Sequence, residues 1–155
     1  MEQVIETFYK AFQKLDHETM NSCYHDDIVF HDPGFGHLHG DDAKGMWTML
    51  CKRAKDFKLE FSDIKVDGNR GSAHWEAWYT FSQTGRSVHN IIDAEFEFKD
   101  GKIIKHNDHF NLKRWAGQAL GWKGKLLGGT TFFQNKLQAQ TNGLLKKFMA
   151  QEVQH

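Results

Sequence analysis

The chain has 155 residues, and its 20 Lys+Arg balance 20 Asp+Glu for a formal charge of zero. That length fits one domain, which buries roughly 70% of its unfolded surface and needs no covalent staples. Balanced charge excludes the basic excess of a nucleic-acid binder, an aromatic content of 14% excludes a disordered chain, and no run approaches the ~20 apolar residues of a membrane span.

The first predicted element covers residues 3–15. Val4, Ile5, Phe8, Phe12 and Leu15 recur at helical spacing against a polar face of Glu2, Glu6, Lys10 and Lys14. Asp16 and His17 interrupt it, and Glu18–Tyr24 reads as a short second helix. Ile28–Phe30 is a short strand stopped by Asp32-Pro33-Gly34, which holds the chain's single proline. Pro33 pushes Asp32 into an extended conformation. Gly34–Gly40 reads as a loop rich in Gly and His. A third helix is predicted from Asp41 to about Lys55, with Asp41 or Asp42 as its cap.

A run of strands follows. Phe57–Val66 and Arg70–Gln83 are separated by an Asp-Gly-Asn turn, and Thr84-Gly85-Arg86 turns the chain again. His89–Phe98 and Lys102–Phe110 flank Asp100-Gly101, a strong hairpin signal. Helices first and an antiparallel meander second define an α+β layout, with helices on one face of a curved sheet. Beyond Phe110, Trp115–Leu120 is helical in pattern. Gly117, Gly121, Gly124, Gly128 and Gly129 then suggest a flexible connector. Residues 130–153 form a helix whose Phe133, Leu137, Leu144, Leu145 and Phe148 share a face that needs burial. Lys123-Gly124-Lys125 is too short and too glycine-rich for a phosphate loop.

Cys23 and Cys51 do not make a disulfide framework, and the N-terminal residues lack the basic start and apolar stretch of a secretory signal. A cytoplasmic protein with reduced thiols is expected. His31, His37 and His39 cluster in the loop, but their spacing matches no metal motif, so no metal is expected.

Strand parity sorts the polar candidates. Ala73, Trp75, Ala77, Tyr79 and Phe81 share one face, with His74, Glu76 and Trp78 opposite. Ile92, Ala94, Phe96 and Phe98 share a face with Asn90, while Asp93 points the other way. Ile104, His106, Asp108 and Phe110 share a face, so His106 and Asp108 form a candidate acid/base pair on an otherwise apolar surface. Asp32 lies at a strand end between Phe30 and Phe35, where a carboxylate gains a raised pKa; the other reading of Asp-Pro-Gly is a turn with a capping aspartate. Tyr9 lies at the edge of the first helix's apolar stripe, either facing the interior or with its hydroxyl in water.

The element order resembles the cone-shaped fold of the nuclear transport factor 2-like superfamily over roughly residues 1–121, with 122–155 as a glycine-rich connector and C-terminal helix. Val29-Phe30-His31-Asp32-Pro33-Gly34 resembles the base-bearing segment of bacterial ketosteroid isomerases. His106-Asn107-Asp108-His109-Phe110 and Gln118-Ala119-Leu120-Gly121 resemble SnoaL-like polyketide cyclases. The resemblance implies three helices on a curved, mostly antiparallel sheet, and the high aromatic count with the in-facing strand parity predicts an enclosed, largely apolar pocket between them. Asp32 would be the base, and Tyr9 and Asp93 the donors to a substrate oxyanion, with Asp93 aimed inward only if a β-bulge resets its strand. Asp108 with His106 would do acid–base work.

Phe12, Phe30, Trp75, Tyr79, Asn90 and Phe110 would line the pocket around a small hydrophobic carbonyl compound, with no cofactor. The implied activity is proton transfer of isomerase or cyclase type. Epoxide hydrolysis and a noncatalytic binding or docking role are carried by other members of the same fold. Trp78 on a polar outer face predicts a homodimer through that face.

Overall fold

The computed structural model describes residues 1–153. Three helices come first: α1 (Glu2–Gln13), α2 (His17–Ser22) and, after a hairpin, α3 (Asp41–Arg53). The strands are β1 (Tyr24–Asp32), β2 (Gly36–His39), β3 (Lys58–Asp67), β4 (Arg70–Phe81), β5 (Arg86–Lys99) and β6 (Lys102–His109). Three more helices close the chain: α4 (Leu112–Leu120), α5 (Trp122–Leu127) and α6 (Thr131–Val153). The sheet order is β2-β1-β6-β5-β4-β3, antiparallel except where β1 runs parallel to β6. This is the expected α+β cone: a curved sheet with the N-terminal helices packed in its concavity.

Sequence pattern accounts for the core. The apolar stripe of α1 buries Ile5, Phe8, Tyr9, Ala11 and Phe12. Alternation along β5 buries Val88, Asn90, Ile92, Ala94, Phe96 and Phe98, as period-two parity requires. On β4, Ala73, Trp75 and Ala77 are buried, with Tyr79 and Phe81 half-buried at the strand end.

The structure departs from the sequence expectations at identifiable places. Tyr24 begins β1 rather than ending α2: the helix stops at Ser22, and Tyr24 pairs with Ile103 of β6, whose amide donates to the Cys23 carbonyl at 2.9 Å. The Gly/His loop contains a strand: β2 folds back on β1, with Asp32 opposite Gly36 and the His31 and His37 rings 4.4 Å apart. Gly40, at φ 53°, precedes α3, so Asp41 and Asp42 occupy its first turn and face the positive end of the helix dipole instead of capping it. On β6, Phe98 pairs with Ile103 and Glu97 with Lys105, which leaves Ile104 as the extra residue of a bulge. Ile103, not Ile104, is therefore the buried residue above His106.

The glycine-rich segment is packed rather than loose. A Cβ at Gly124 would stand 2.0 Å from the Ala116 carbonyl oxygen, and one at Gly128 would stand 2.7 Å from the Ala116 Cβ. Only glycine lets α5 approach α4 this closely. The C-terminal helix docks as its stripe requires. Leu145 and Phe148 are buried, Met149 packs on the core, and Lys52 and Arg53 of α3 lie over the Phe148 ring. No described helix is long and apolar enough to cross a membrane.

Candidate active site

A continuous hydrogen-bonded chain runs through the cone. The bulge at Ile104 returns His106 and Asp108 to the inner face of β6, where both are buried. The Tyr24 hydroxyl lies 2.7 Å from His106 Nδ1, and Trp47 Nε1 donates to that hydroxyl at 2.8 Å. His106 Nε2 lies 2.9 Å from Asp108 Oδ1, which also accepts from Trp75 Nε1 at 3.2 Å. One assignment uses every proton once. Trp47 donates to Tyr24, Tyr24 donates to Nδ1 of a neutral His106, and Nε2–H donates to an ionised Asp108. Phe8, Phe30 and Phe96 surround the imidazole at 5.6, 5.2 and 4.5 Å between ring centres. Such a network is favourable in a dry core only because each member is satisfied.

Asp32 combines the two readings that its sequence allows. It ends β1, and its Oδ1 accepts from the Gly34 and Phe35 amides at 2.9 and 2.6 Å, so it does hold the turn. Its carboxyl nevertheless lies inside the protein, although the residue keeps some exposed surface. Burial pushes the carboxyl pKa up to about 7, and the Asp108 charge adds to the rise against the two amide hydrogen bonds. Tyr79 shares this environment. Its hydroxyl accepts from Trp115 Nε1 at 2.8 Å, and burial, with a smaller contribution from Asp32, moves its pKa up to about 12.

Tyr9 resolves differently from a boundary tyrosine. It is fully buried, its ring stacks on Phe61, and its hydroxyl has no hydrogen-bond partner among the described residues. Burial holds that hydroxyl well above the usual tyrosine pKa, and the Asp108 charge raises it further. An orphan donor in an apolar interior costs stability unless something else occupies its acceptor position. The Asp108 charge on β6 is thus felt both by Asp32 at the β1 end and by Tyr9 on α1.

Asp93 is not brought there. No bulge interrupts β5 opposite β4 near this position, so Asp93 lies on the outer face with its side chain 77% exposed. Its carboxylate sits 2.8 Å from His74 Nδ1, and His74, Glu76 and His89 continue that outer network. Asn90 faces inward instead. The residues expected to line a pocket do converge on the interior, but their rings lean on one another. Phe12 and Trp75 are 5.4 Å apart, Tyr9 and Trp75 6.0 Å, and Phe30 packs on Trp47 at 5.4 Å, while Tyr79 and Phe110 are half-buried at the rim. These rings share the interior of the cone with the Tyr24–His106–Asp108 chain.

Sequence reading missed two members of the chain, Tyr24 and Trp47. The sequence pattern places Tyr24 at the end of a helix, and nothing in the α3 pattern marks an indole that reaches across the core. It also missed a polar ladder on α6. Gln138 donates to the Pro33 carbonyl at 3.1 Å, Thr141 to Gly34 at 2.8 Å and Asn142 to Phe35 at 2.9 Å. These side chains hold the turn that carries Asp32.

The fold and this interior define a cone-fold protein with buried acid–base groups. The family model for the SnoaL-like domain matches residues 5–106, and the chain belongs to that family. No curated protein matches the chain in sequence. Among solved structures, it is similar to an LEH-like epoxide hydrolase of M. tuberculosis, with 22% identity and a TM-score of 0.62, covering 81% of this chain and 89% of the other. It is also similar to an NTF2-like protein of unknown function from Burkholderia pseudomallei, with 19% identity, a TM-score of 0.65, and coverage of 76% and 95%. A Catenulispora acidiphila protein with a ketosteroid isomerase-like fold, in complex with trimethylamine, shares 9% identity at a TM-score of 0.66, with coverage of 75% and 91%. The family match ends at His106, so α4, α5 and α6 lie beyond it.

Proposed function

We propose that this protein is a cofactor-independent enzyme that moves a proton on a small hydrophobic carbonyl compound, as an isomerase or cyclase does, with Asp32 as general base. The observation that carries the reading is a half-buried carboxyl at the end of β1, held by the Gly34 and Phe35 amides, whose pKa burial and the Asp108 charge push up to about 7. A base with that pKa is half-ionised at neutral pH and still strong enough to accept a proton from carbon. The carbon next to the carbonyl loses its proton to Asp32, and negative charge develops on the carbonyl oxygen. Tyr9 supplies the donor for that oxygen, because its hydroxyl is buried and otherwise unspent. Asp108, held by His106 and Trp75, keeps the Asp32 proton affinity high and is the second acid–base group. The substrate takes its place by displacing rings at the rim, where Tyr79 and Phe110 are half-buried.

Epoxide hydrolysis of the kind that uses an Asp–Arg–Asp set is less well supported, because among the described residues the buried polar side chains are Asn90, His106 and Asp108, with no arginine. Asp32→Asn separates catalysis from binding. Asparagine keeps the turn hydrogen bonds and removes the basicity, so turnover of a screened carbonyl substrate falls by about 10²–10⁴-fold while ligand binding persists. Full turnover by Asp32→Asn removes Asp32 as the base. Ligand binding with no turnover by either protein supports the noncatalytic reading.

Self-association through the outer sheet face belongs to the same proposal. Trp78 stacks on His89 at 4.5 Å under the Lys58 ammonium, beside an exposed Ile91. Sedimentation should show a dimer at micromolar concentration, weakened by Trp78→Glu.

A further inference from the structure

The geometry points to a second binding site, distinct from the Asp32 interior, in which a small polyanion carrying linked phosphate groups is held between α4, α5 and the start of β5. A cleft of about 790 Å³ opens there. Its lining includes four cations, Arg86, Lys113, Arg114 and Lys125, with Ser87 and Asn111 as neutral donors and no carboxylate. The chain as a whole is neutral, so this local excess is a segregation of charge rather than general basicity. The ion pairs of the described residues engage other cations, including Lys10, Lys44, Lys52, Lys58 and Arg70.

The two arginines are held in place. Arg86 Nε donates to the Gln118 carbonyl at 2.7 Å, and Arg114 Nη1 donates to the His89 carbonyl at 2.5 Å. Gln118 is itself fixed, exchanging hydrogen bonds with the His89 amide and carbonyl at 2.7 and 3.1 Å. Each guanidinium spends one N–H on a backbone carbonyl and keeps its other donors for a ligand. An ordered fork of this kind suits phosphate oxygens and lowers the entropy lost on binding.

The glycines explain how the fourth cation arrives. Gly124 and Gly128 let α5 lie against Ala116, and that approach carries Lys125 over Gly117, where an added Cβ would stand 2.9 Å from the Lys125 Cγ. Asn111, the N-cap of α4, and Arg114 and Gln118 within it fall at i, i+3 and i+7, so one side of the helix faces the opening. The segment that resembled a loose connector is thus the wall of the cleft. The volume exceeds that of a single phosphate, and no aromatic side chain lines it to stack a base. A chain or ring of linked phosphates fits those terms better than a nucleotide.

Calorimetric titration of the intact protein at physiological salt, with tripolyphosphate as the probe and citrate as the carboxylate counterpart, tests the site. Saturable binding of tripolyphosphate is expected, weakened at least about ten-fold in Arg86→Gln/Arg114→Gln and in Lys113→Gln/Lys125→Gln. The matched charge change Lys146→Gln/Lys147→Gln, on exposed α6 lysines, should leave it unaltered. The lysine pair makes no anchoring bond to the fold, so it decides the outcome if the arginine pair unfolds. No saturable binding, equal weakening by the α6 pair, or citrate binding as tightly as tripolyphosphate would each overturn the assignment.

Discussion

Thr141 on the last helix donates to the carbonyl of Gly34 at 2.8 Å, across 107 positions of sequence, and so secures the turn whose amides bond Asp32. The helix lies beyond the family match. Thr141→Val keeps the shape and strands the Gly34 carbonyl. We expect a loss of about 1 kcal/mol, seen as a melting temperature lower by roughly 2–4 °C, and an Asp32 pKa that moves down as water reaches the turn. An unchanged Asp32 titration would separate α6 from the site.

Tyr9→Phe removes a hydroxyl that has no partner in the fold. Stability should therefore hold or rise slightly in a thermal melt, because an unpaid desolvation cost disappears. Turnover should fall by about ten-fold or more, since the donor to the developing oxyanion is gone. A clear drop in stability at full activity would make Tyr9 a core residue only.

Gly124→Ala introduces a Cβ 2.0 Å from the Ala116 carbonyl oxygen. The α4–α5 contact must open. Hydrogen exchange should accelerate in residues 112–128 and leave β5 and β6 protected. Unchanged protection in α5 would show that the close approach is dispensable.

Asp32 also links function to stability. Its folded pKa of about 7 lies above the ordinary 3.8, so the folded state binds this proton more tightly than the unfolded chain does. The associated stability is complete below about pH 4 and is lost as pH rises through about 7. Asp32→Asn carries no such cost. Its melting temperature should exceed that of the parent at pH 8, by an amount worth a few kcal/mol at most, and the gap should close near pH 4. An Asp32→Asn variant less stable than the parent at pH 8 would mean that the carboxylate stabilises the fold.

Much of this was legible in the sequence, for physical reasons that differ by element. Period-two alternation fixed the inner face of β5, placed Asn90 inward and left Asp93 on the outer face unless a bulge intervened; none does. The α1 stripe likewise announced its own burial. The β6 bulge was not legible, because one extra residue at Ile104 exchanges which isoleucine faces the core without changing composition or local propensity. The glycines after α4 were misread because composition cannot distinguish a glycine needed for close packing from one that leaves a loop free. The α6 ladder of Gln138, Thr141 and Asn142 was not legible, since its partners are backbone carbonyls that no side-chain pattern records. The ring packing of Phe12, Trp75 and Tyr9 depends on side-chain angles that strand parity and helix periodicity do not set.

The most direct test of the central claim is a carboxyl ¹³C NMR titration of Asp32, assigned by comparison with Asp32→Asn. The account predicts a midpoint near 7, raised by burial and by the Asp108 charge, and an Asp108→Asn variant in which that midpoint falls. A midpoint near the ordinary 3.8, unmoved by Asp108→Asn, would leave Asp32 a turn residue without the proton affinity that the proposed chemistry needs.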